Sequence, residues 1–177
     1  MTSSAPTPDD VIDQAVPLAP DHPLYALRRE RPKVVASTQG SYEGMFSPAV
    51  QGISVTERLL VALHACRLSK ADSLAAHYRS RLLADGADGA ADPALVDAVA
   101  SSNAALPADA RLQTILGFTA KLIDRPIEGD RAAIDALLQA GLSTPAVVAL
   151  GQLIAFLSYQ IRVVAGLQAM AEAGAAA

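Results

Sequence analysis

The chain has 177 residues, of which 51% are hydrophobic and only 4% aromatic, with no Trp. Its length suits one domain with a sizeable core, and the excess of Ala and Leu over β-branched and aromatic residues favours helices. The net charge of −4 and the single cysteine exclude a broad basic surface for nucleic acid, an internal disulfide and a Cys-rich metal site.

Residues 1–20 are rich in Pro, Ser and Asp, which predicts a flexible arm. Three apolar residues are positioned to anchor this arm: Ile12, Val16 and Leu18. The start, MTSSAPTPDD, lacks the basic and apolar regions of a signal peptide, so a cytoplasmic protein is expected. Residues 21–172 are predicted to form a single helical domain, and residues 173–177 an Ala-rich tail.

Three helices are predicted in the first 68 residues. Asp21 or His22 begins a short helix with Pro23 in its first turn, and Pro32 interrupts it. A second helix is expected over 32–45. Further on, the sequence SVTE at residues 54–57 fits a capping box and begins a third helix, which runs through residue 68.

The rest of the chain continues this helical pattern. A tight turn is predicted near Ser69, followed by a helix from Lys70 to about Asp85. The sequence DGADGAAD at residues 85–92 predicts a loop without calcium-binding spacing. Four further helices are expected, over 93–101, from 107 to about 124, over 130–140 with Gly141 as a left-handed cap, and from 144 into the tail. No convincing strand is present, so the prediction is an all-α bundle of seven or eight helices.

Residues 136–161 carry no charge, which is long enough to cross a bilayer. Several polar residues interrupt the stretch, and Gly141 and Pro145 divide it into two helices. We therefore interpret the second half as a helix buried in the core or in a subunit interface. A homo-oligomer formed through this C-terminal apolar helix is expected, with neither membrane nor nucleic acid as a partner.

The only cysteine, Cys66, is predicted in the last turn of its helix. The partial negative charge at that end favours the neutral thiol, whereas a reactive thiolate needs the opposite pole. Its neighbours Leu63, Ala65 and Leu68 are typical of a core, so a small buried hydrophobe is the favoured interpretation. Arg67 is the one neighbour that favours a thiolate.

His77 shares one predicted helix face with Ser73 and Lys70. If this helix packs antiparallel to the preceding one, Glu57 becomes a plausible neighbour of the imidazole. A carboxylate beside an imidazole forms a usable acid–base unit. The alternatives stay open: a capping-box Glu needs no other role, and His77 could be a structural histidine.

The segment SVTERLLVALHACRLSKADSLAAHYRSRLLADG resembles the signature region of the carboxymuconolactone decarboxylase and alkylhydroperoxidase D-like (AhpD-like) family. The resemblance continues through residues 118–167, where Phe156, Tyr159 and Arg162 match the family's pattern, and spans roughly residues 20 to 170. It implies an oligomeric AhpD-like bundle built around a helical hairpin. Peroxidase members carry a Glu and then C-x-x-C-x-x-x-H.

Aligning that motif on His77 places Lys70 and Ser73 at the two cysteine positions, with Glu57 within one residue of the motif Glu. The resemblance therefore implies a peroxidase-related oxidoreductase that lacks the redox pair. One alternative is a cofactor-free acid–base enzyme of the lactone decarboxylase type, acting on a small acidic substrate. In this alternative His77 transfers the proton, Glu57 orients the imidazole, and Lys70 or Arg79 binds the substrate carboxylate.

The other alternative is a non-catalytic oligomeric relative. The candidate catalytic residues are thus His77, Glu57, Lys70, Ser73 and Cys66. No nucleotide loop, dinucleotide motif or zinc spacing is present, so no cofactor and no metal are expected.

Overall fold

The computed structural model describes residues 10–16, 18, 20–84, 90–101 and 109–175. Within these ranges the regular structure is helical, with nine α-helices, a 3-10 turn at Pro126–Glu128 and no strand. The helices are α1 (Val11–Ala15), α2 (Pro23–Arg29), α3 (Pro32–Met45), α4 (Val55–Leu68), α5 (Asp72–Leu83), α6 (Pro93–Ala100), α7 (Ala110–Asp124), α8 (Arg131–Gln139) and α9 (Thr144–Ala175). The predicted all-α class is confirmed.

The centre of the fold is the hairpin of α4 and α5. Helix α4 also contacts α6, α7 and α9, and nine of its fourteen residues are buried. Its start is fixed by the predicted capping box, since the Ser54 hydroxyl accepts from the Glu57 amide at 3.0 Å and the Glu57 carboxylate accepts from the Ser54 amide at 2.7 Å.

The turn between α4 and α5 differs from the prediction, because Lys70 lies outside the helix. Its φ is +56°, and its amide donates to the Arg67 carbonyl while the Ala71 amide donates to the Cys66 carbonyl. These two bonds form a Schellman motif, in which the residue after the cap adopts the left-handed conformation. Helix α5 therefore begins at Asp72, and Lys70 does not share a helix face with His77.

The same motif ends α8, where Gly141 has a φ of +87°, as the sequence predicted. Differences from the predicted boundaries are otherwise small. The region 93–101 forms α6 as expected, whereas the start predicted at residue 107 and most of the 85–92 loop lie outside the described residues.

Part of the N-terminal arm forms a helix that was not predicted from the sequence. Residues 11–15 form α1, and the predicted anchors Ile12, Val16 and Leu18 are buried. A cluster of four charges fastens this helix to α2: Arg28 bonds Asp10 and Asp13 at 2.6 and 2.5 Å, and Arg29 bonds Asp13. Residues 1–9, 17 and 19 lie outside the described part.

Helix α9 is long and apolar enough to cross a membrane by length and composition, and half of its most apolar window is buried inside the fold. It packs against α1, α3, α4, α7 and α8. That burial is the ordinary property of a core helix in a globular bundle.

Candidate functional site

Cys66 lies in the hydrophobic core at the carboxyl-terminal end of α4. Its side chain is fully buried, and burial raises the pKa of the thiol to about 12. A thiol with such a pKa is almost entirely protonated at neutral pH, and the thiolate is the form that attacks peroxides. The interpretation of Cys66 as a buried core residue is thus confirmed.

Lys70 and Ser73 do not combine into a reactive pair. Lys70 lies exposed in the turn, and Ser73 occupies the first turn of α5. The Ser73 hydroxyl accepts a hydrogen bond from the Gln168 amide of α9 at 3.2 Å. The structure gives Ser73 a part in joining α5 to α9, and it leaves Lys70 on the surface.

His77 belongs to a polar network that joins α3 to α5. Its Nε2 lies 2.7 Å from the Tyr42 hydroxyl, and Arg81 donates to that hydroxyl at 2.7 Å. The imidazole ring also lies edge-on to Tyr78, with ring centroids 5.2 Å apart. Because Arg81 can only donate, the phenol proton is left available to a neutral imidazole.

The electrostatics of this network keep His77 neutral. Burial, aided by the nearby Arg81 charge, lowers the pKa of the imidazole to about 4. Burial raises the pKa of the Tyr42 phenol, although Arg81 opposes that shift. At neutral pH the pair is therefore a phenol and an uncharged imidazole, joined by one hydrogen bond.

Glu57 lies elsewhere, which corrects the predicted Glu57–His77 unit. Its carboxylate caps α4 and pairs with Arg111 of α7 at 2.7 Å. The two residues are separated because they lie at different distances from the hairpin turn. Glu57 is about 19 Å from the hairpin turn along α4, whereas His77 is only about 10 Å from it along α5, at 1.5 Å per residue.

Arg79, the other predicted carboxylate ligand, also has a different role from the one predicted. Its guanidinium bonds the Asp97 carboxylate of α6 at 2.7 Å, and both side chains are exposed. The residues predicted to act together thus lie in separate places: in the turn, in the core, at the contacts of α5 with α3, α6 and α9, and at the contact of α4 with α7.

Three polar features of the core are not among the residues predicted from the sequence. Tyr42 and Arg81 complete the His77 network, and the i, i+4 spacing of His77 and Arg81 was the signal that could have indicated it. In addition, the Tyr78 hydroxyl donates to Oε1 of the buried Gln160 on α9 at 2.6 Å. These bonds tie α3, α5 and α9 together.

The third feature is Arg58 on α4, whose side chain is almost completely buried. Its guanidinium donates to the carbonyls of Met45, Ser47 (2.9 Å) and Ser54 (3.2 Å). Those carbonyls belong to the end of α3 and to the segment that leads into α4. Arg58 therefore holds α3 in the position from which Tyr42 reaches His77.

The described residues contain no group of three or more His, Cys, Asp or Glu side chains that could hold a metal ion. A surface groove of about 420 Å³ lies between α3 and α9, and the His77 imidazole is not part of its lining. It is lined by Lys33, Val34, Ser37, Thr38, Ser41, Phe156 and Tyr159.

The chain is similar in structure to a crystal structure of the alkylhydroperoxidase AhpD core, an uncharacterized peroxidase-related protein from Ralstonia eutropha JMP134. The TM-score is 0.59, with 16% identity over 81% of this chain and 73% of that one. No family model and no curated protein matches the sequence. At this identity the likeness establishes the fold.

Proposed function

We propose that this chain, which has the AhpD fold, is a peroxidase-related protein that has lost the thiol chemistry. The observation that carries the proposal is the state of Cys66, which is buried and has a pKa raised to about 12. Lys70 and Ser73, which the resemblance aligns with the redox cysteines, supply an amine and a hydroxyl. Neither can form the disulfide that thiol peroxidases close.

The proposal is tested by following consumption of cumene hydroperoxide with a dithiol reductant. The wild-type protein is expected to consume peroxide no faster than the reductant alone, because no thiolate is available at neutral pH. The Cys66→Ser variant is expected to give the same rate. Turnover by the wild type that disappears in Cys66→Ser would contradict the proposal.

A second candidate function is acid–base chemistry at the Tyr42–His77–Arg81 network. It is supported by the 2.7 Å contact between the phenol and the imidazole, in which Tyr42 takes the place that the sequence assigned to Glu57. General acid–base catalysis works best when the pKa of the group is near the operating pH. An imidazole pKa near 7 in the folded protein, measured by NMR titration, would support this candidate, whereas a pKa near 4 would argue against it.

A further inference from the structure

A second groove, of about 300 Å³, lies where one face of α3 meets the end of α2 and the start of α1. Its middle is apolar and is formed by residues 32, 35, 36 and 40, whose spacing places them on one face of α3. From Pro32 to Glu43 the lining extends about 16 Å along the helix, at 1.5 Å per residue. The groove is therefore long enough to take an extended small molecule, and its volume suits one.

Gly40 keeps the middle of this groove open. A Cβ atom built on Gly40 would meet no other atom within 4 Å. The groove thus owes part of its depth to a missing side chain, and a larger residue at this position would fill the groove without displacing its neighbours.

The end of the groove at α2 has a hydrogen-bond donor without an acceptor. Arg29 lines this end, where its Nη2 donates to Asp13 at 2.5 Å and its Nη1 donates to the Tyr25 carbonyl at 3.3 Å. The third nitrogen, Nε, is buried and has no hydrogen-bond partner among the described residues. Buried donors are nearly always satisfied in folded proteins, so this one indicates a ligand that brings an oxygen acceptor.

The charges at the same end favour a carboxylate as that acceptor. The N-terminus of α3 lies here and carries a partial positive charge, and its first turn contains no acidic residue. Asp10 also lines this end, but its carboxylate is engaged by Arg28 at 2.6 Å and by the Ile12 amide at 3.0 Å. A ligand carboxylate would therefore gain a charge-assisted hydrogen bond from Arg29 and the attraction of the helix dipole.

The opposite end of the groove has the reverse charge. Glu43 lies in the last turn of α3, where the helix dipole is negative and no basic residue is present. One of its oxygens accepts from Nε2 of Gln39 at 3.0 Å, and Oε1 of Gln39 accepts from the Val11 amide at 3.1 Å. Within the part of the chain that the structure describes, no ion pair involves Glu43. An amine is the ligand group that complements this carboxylate.

We propose that this groove binds an amino carboxylate whose amine and carboxylate are separated by a hydrocarbon chain. The ligand carboxylate bonds Arg29, the chain lies over the apolar middle, and the amine pairs with Glu43. The charges of the ligand then oppose the dipole of α3 at both ends. A ligand with one charged end would leave either Arg29 or Glu43 without its partner. The site shares no residue with the His77 network and does not depend on Cys66.

The first test is calorimetric titration of the full-length protein with 8-aminooctanoate, octanoate and octylamine, which have the same chain length and differ in their ends. Saturable binding of 8-aminooctanoate is expected. Octanoate and octylamine should each bind about tenfold more weakly, because each lacks one of the two charged contacts. In NMR spectra the Arg29 Nε–H resonance should shift with 8-aminooctanoate and not with octylamine. Absence of saturable binding, equal affinities for the three compounds, or an unmoved Arg29 resonance would overturn the proposal.

The second test places the binding in the groove. Gly40→Leu is expected to lower the affinity for 8-aminooctanoate by about tenfold or more, because leucine fills the apolar middle. The matched control is Gly44→Leu on the same helix, since Gly44 also has open space around its Cβ position and does not line the groove. Leucine has the higher helix propensity, so both variants should fold. Equal losses of affinity in the two variants would contradict this location.

The third test concerns the amine. Glu43→Gln should bind 8-aminooctanoate no more tightly than octanoate, because the carboxylate that pairs with the amine is gone. Glu30→Gln removes the same charge from a residue outside the lining, and it should keep the preference of the wild type. An unchanged preference in Glu43→Gln would overturn the assignment of this end.

Discussion

Replacing Arg58 with leucine is expected to lower the free energy of unfolding by about 3 kcal/mol, because the carbonyls that its guanidinium satisfies lose their donor in a water-poor environment. The side chain is 1% exposed and bonds the carbonyls of Met45, Ser47 and Ser54. Leucine keeps part of the apolar volume but donates nothing. Equilibrium urea unfolding followed by circular dichroism measures the effect.

The matched control is Arg79→Leu, the same replacement at a surface position. Arg79 pairs with Asp97, and the two side chains are 45% and 62% exposed. Exposed ion pairs contribute at most about 1 kcal/mol, so this variant should unfold close to the wild type. Equal loss of stability in the two variants would mean that the buried contacts of Arg58 do not fasten α3 to α4.

Acidification is expected to destabilise the protein through His77. The folded-state pKa is lowered to about 4, whereas an unfolded histidine titrates near its usual value of about 6.5. Between these values the unfolded chain binds the additional proton, so stability is complete above pH 6.5 and falls as the pH drops towards 4. After allowance for partial solvent exposure, the loss amounts to about 2 kcal/mol.

Two measurements isolate the contribution of His77 to the pH dependence of stability. The difference in unfolding free energy between wild type and His77→Gln should depend on pH only below about 6.5, where the unfolded histidine takes up its proton. In the folded protein, NMR titration of the imidazole should give a pKa near 4. A value near 7 would contradict the conclusion that burial lowers the pKa of His77. It would instead support acid–base chemistry at the Tyr42–His77–Arg81 network, which needs proton exchange near neutral pH.

The starts and ends of the helices could be predicted from the sequence wherever local chemistry decides them. Prolines begin α2, α3 and α6 near their first positions, the Ser54–Glu57 pair caps α4, and Gly141 ends α8. Lys70 was missed because it occupies a left-handed position at which glycine is the usual signal. The conformation there is imposed by the hairpin and is not encoded by the residue itself.

The composition of the site could be predicted only in part. The burial of Cys66 followed from its place in an apolar helix end, because that inference needs only one helix. The partner of His77 depends on which side chains of α3 reach α5, and Tyr42 is 35 residues away in the sequence. The prediction that Glu57 lies beside His77 rests only on the antiparallel pairing of α4 and α5. It does not take into account that the two residues lie at different distances from the hairpin turn.

Arg58 is a second residue whose partners could not be predicted from the sequence. It follows Thr56 and Glu57 and precedes the apolar run of α4, so the sequence alone does not distinguish it from an exposed charge, although its side chain is buried. The carbonyls that accept its hydrogen bonds come from the end of α3 and from irregular backbone. Such acceptors carry no residue-type signal.

The central claim, that this AhpD-fold chain has no accessible thiolate, is tested most directly by the alkylation rate of Cys66 with iodoacetamide in the native protein at pH 7 to 9. We predict that labelling, measured by mass spectrometry, is negligible across this range and becomes complete once the protein is unfolded in denaturant. Rapid labelling of the folded protein at pH 7, comparable with that of the unfolded chain, would contradict the claim.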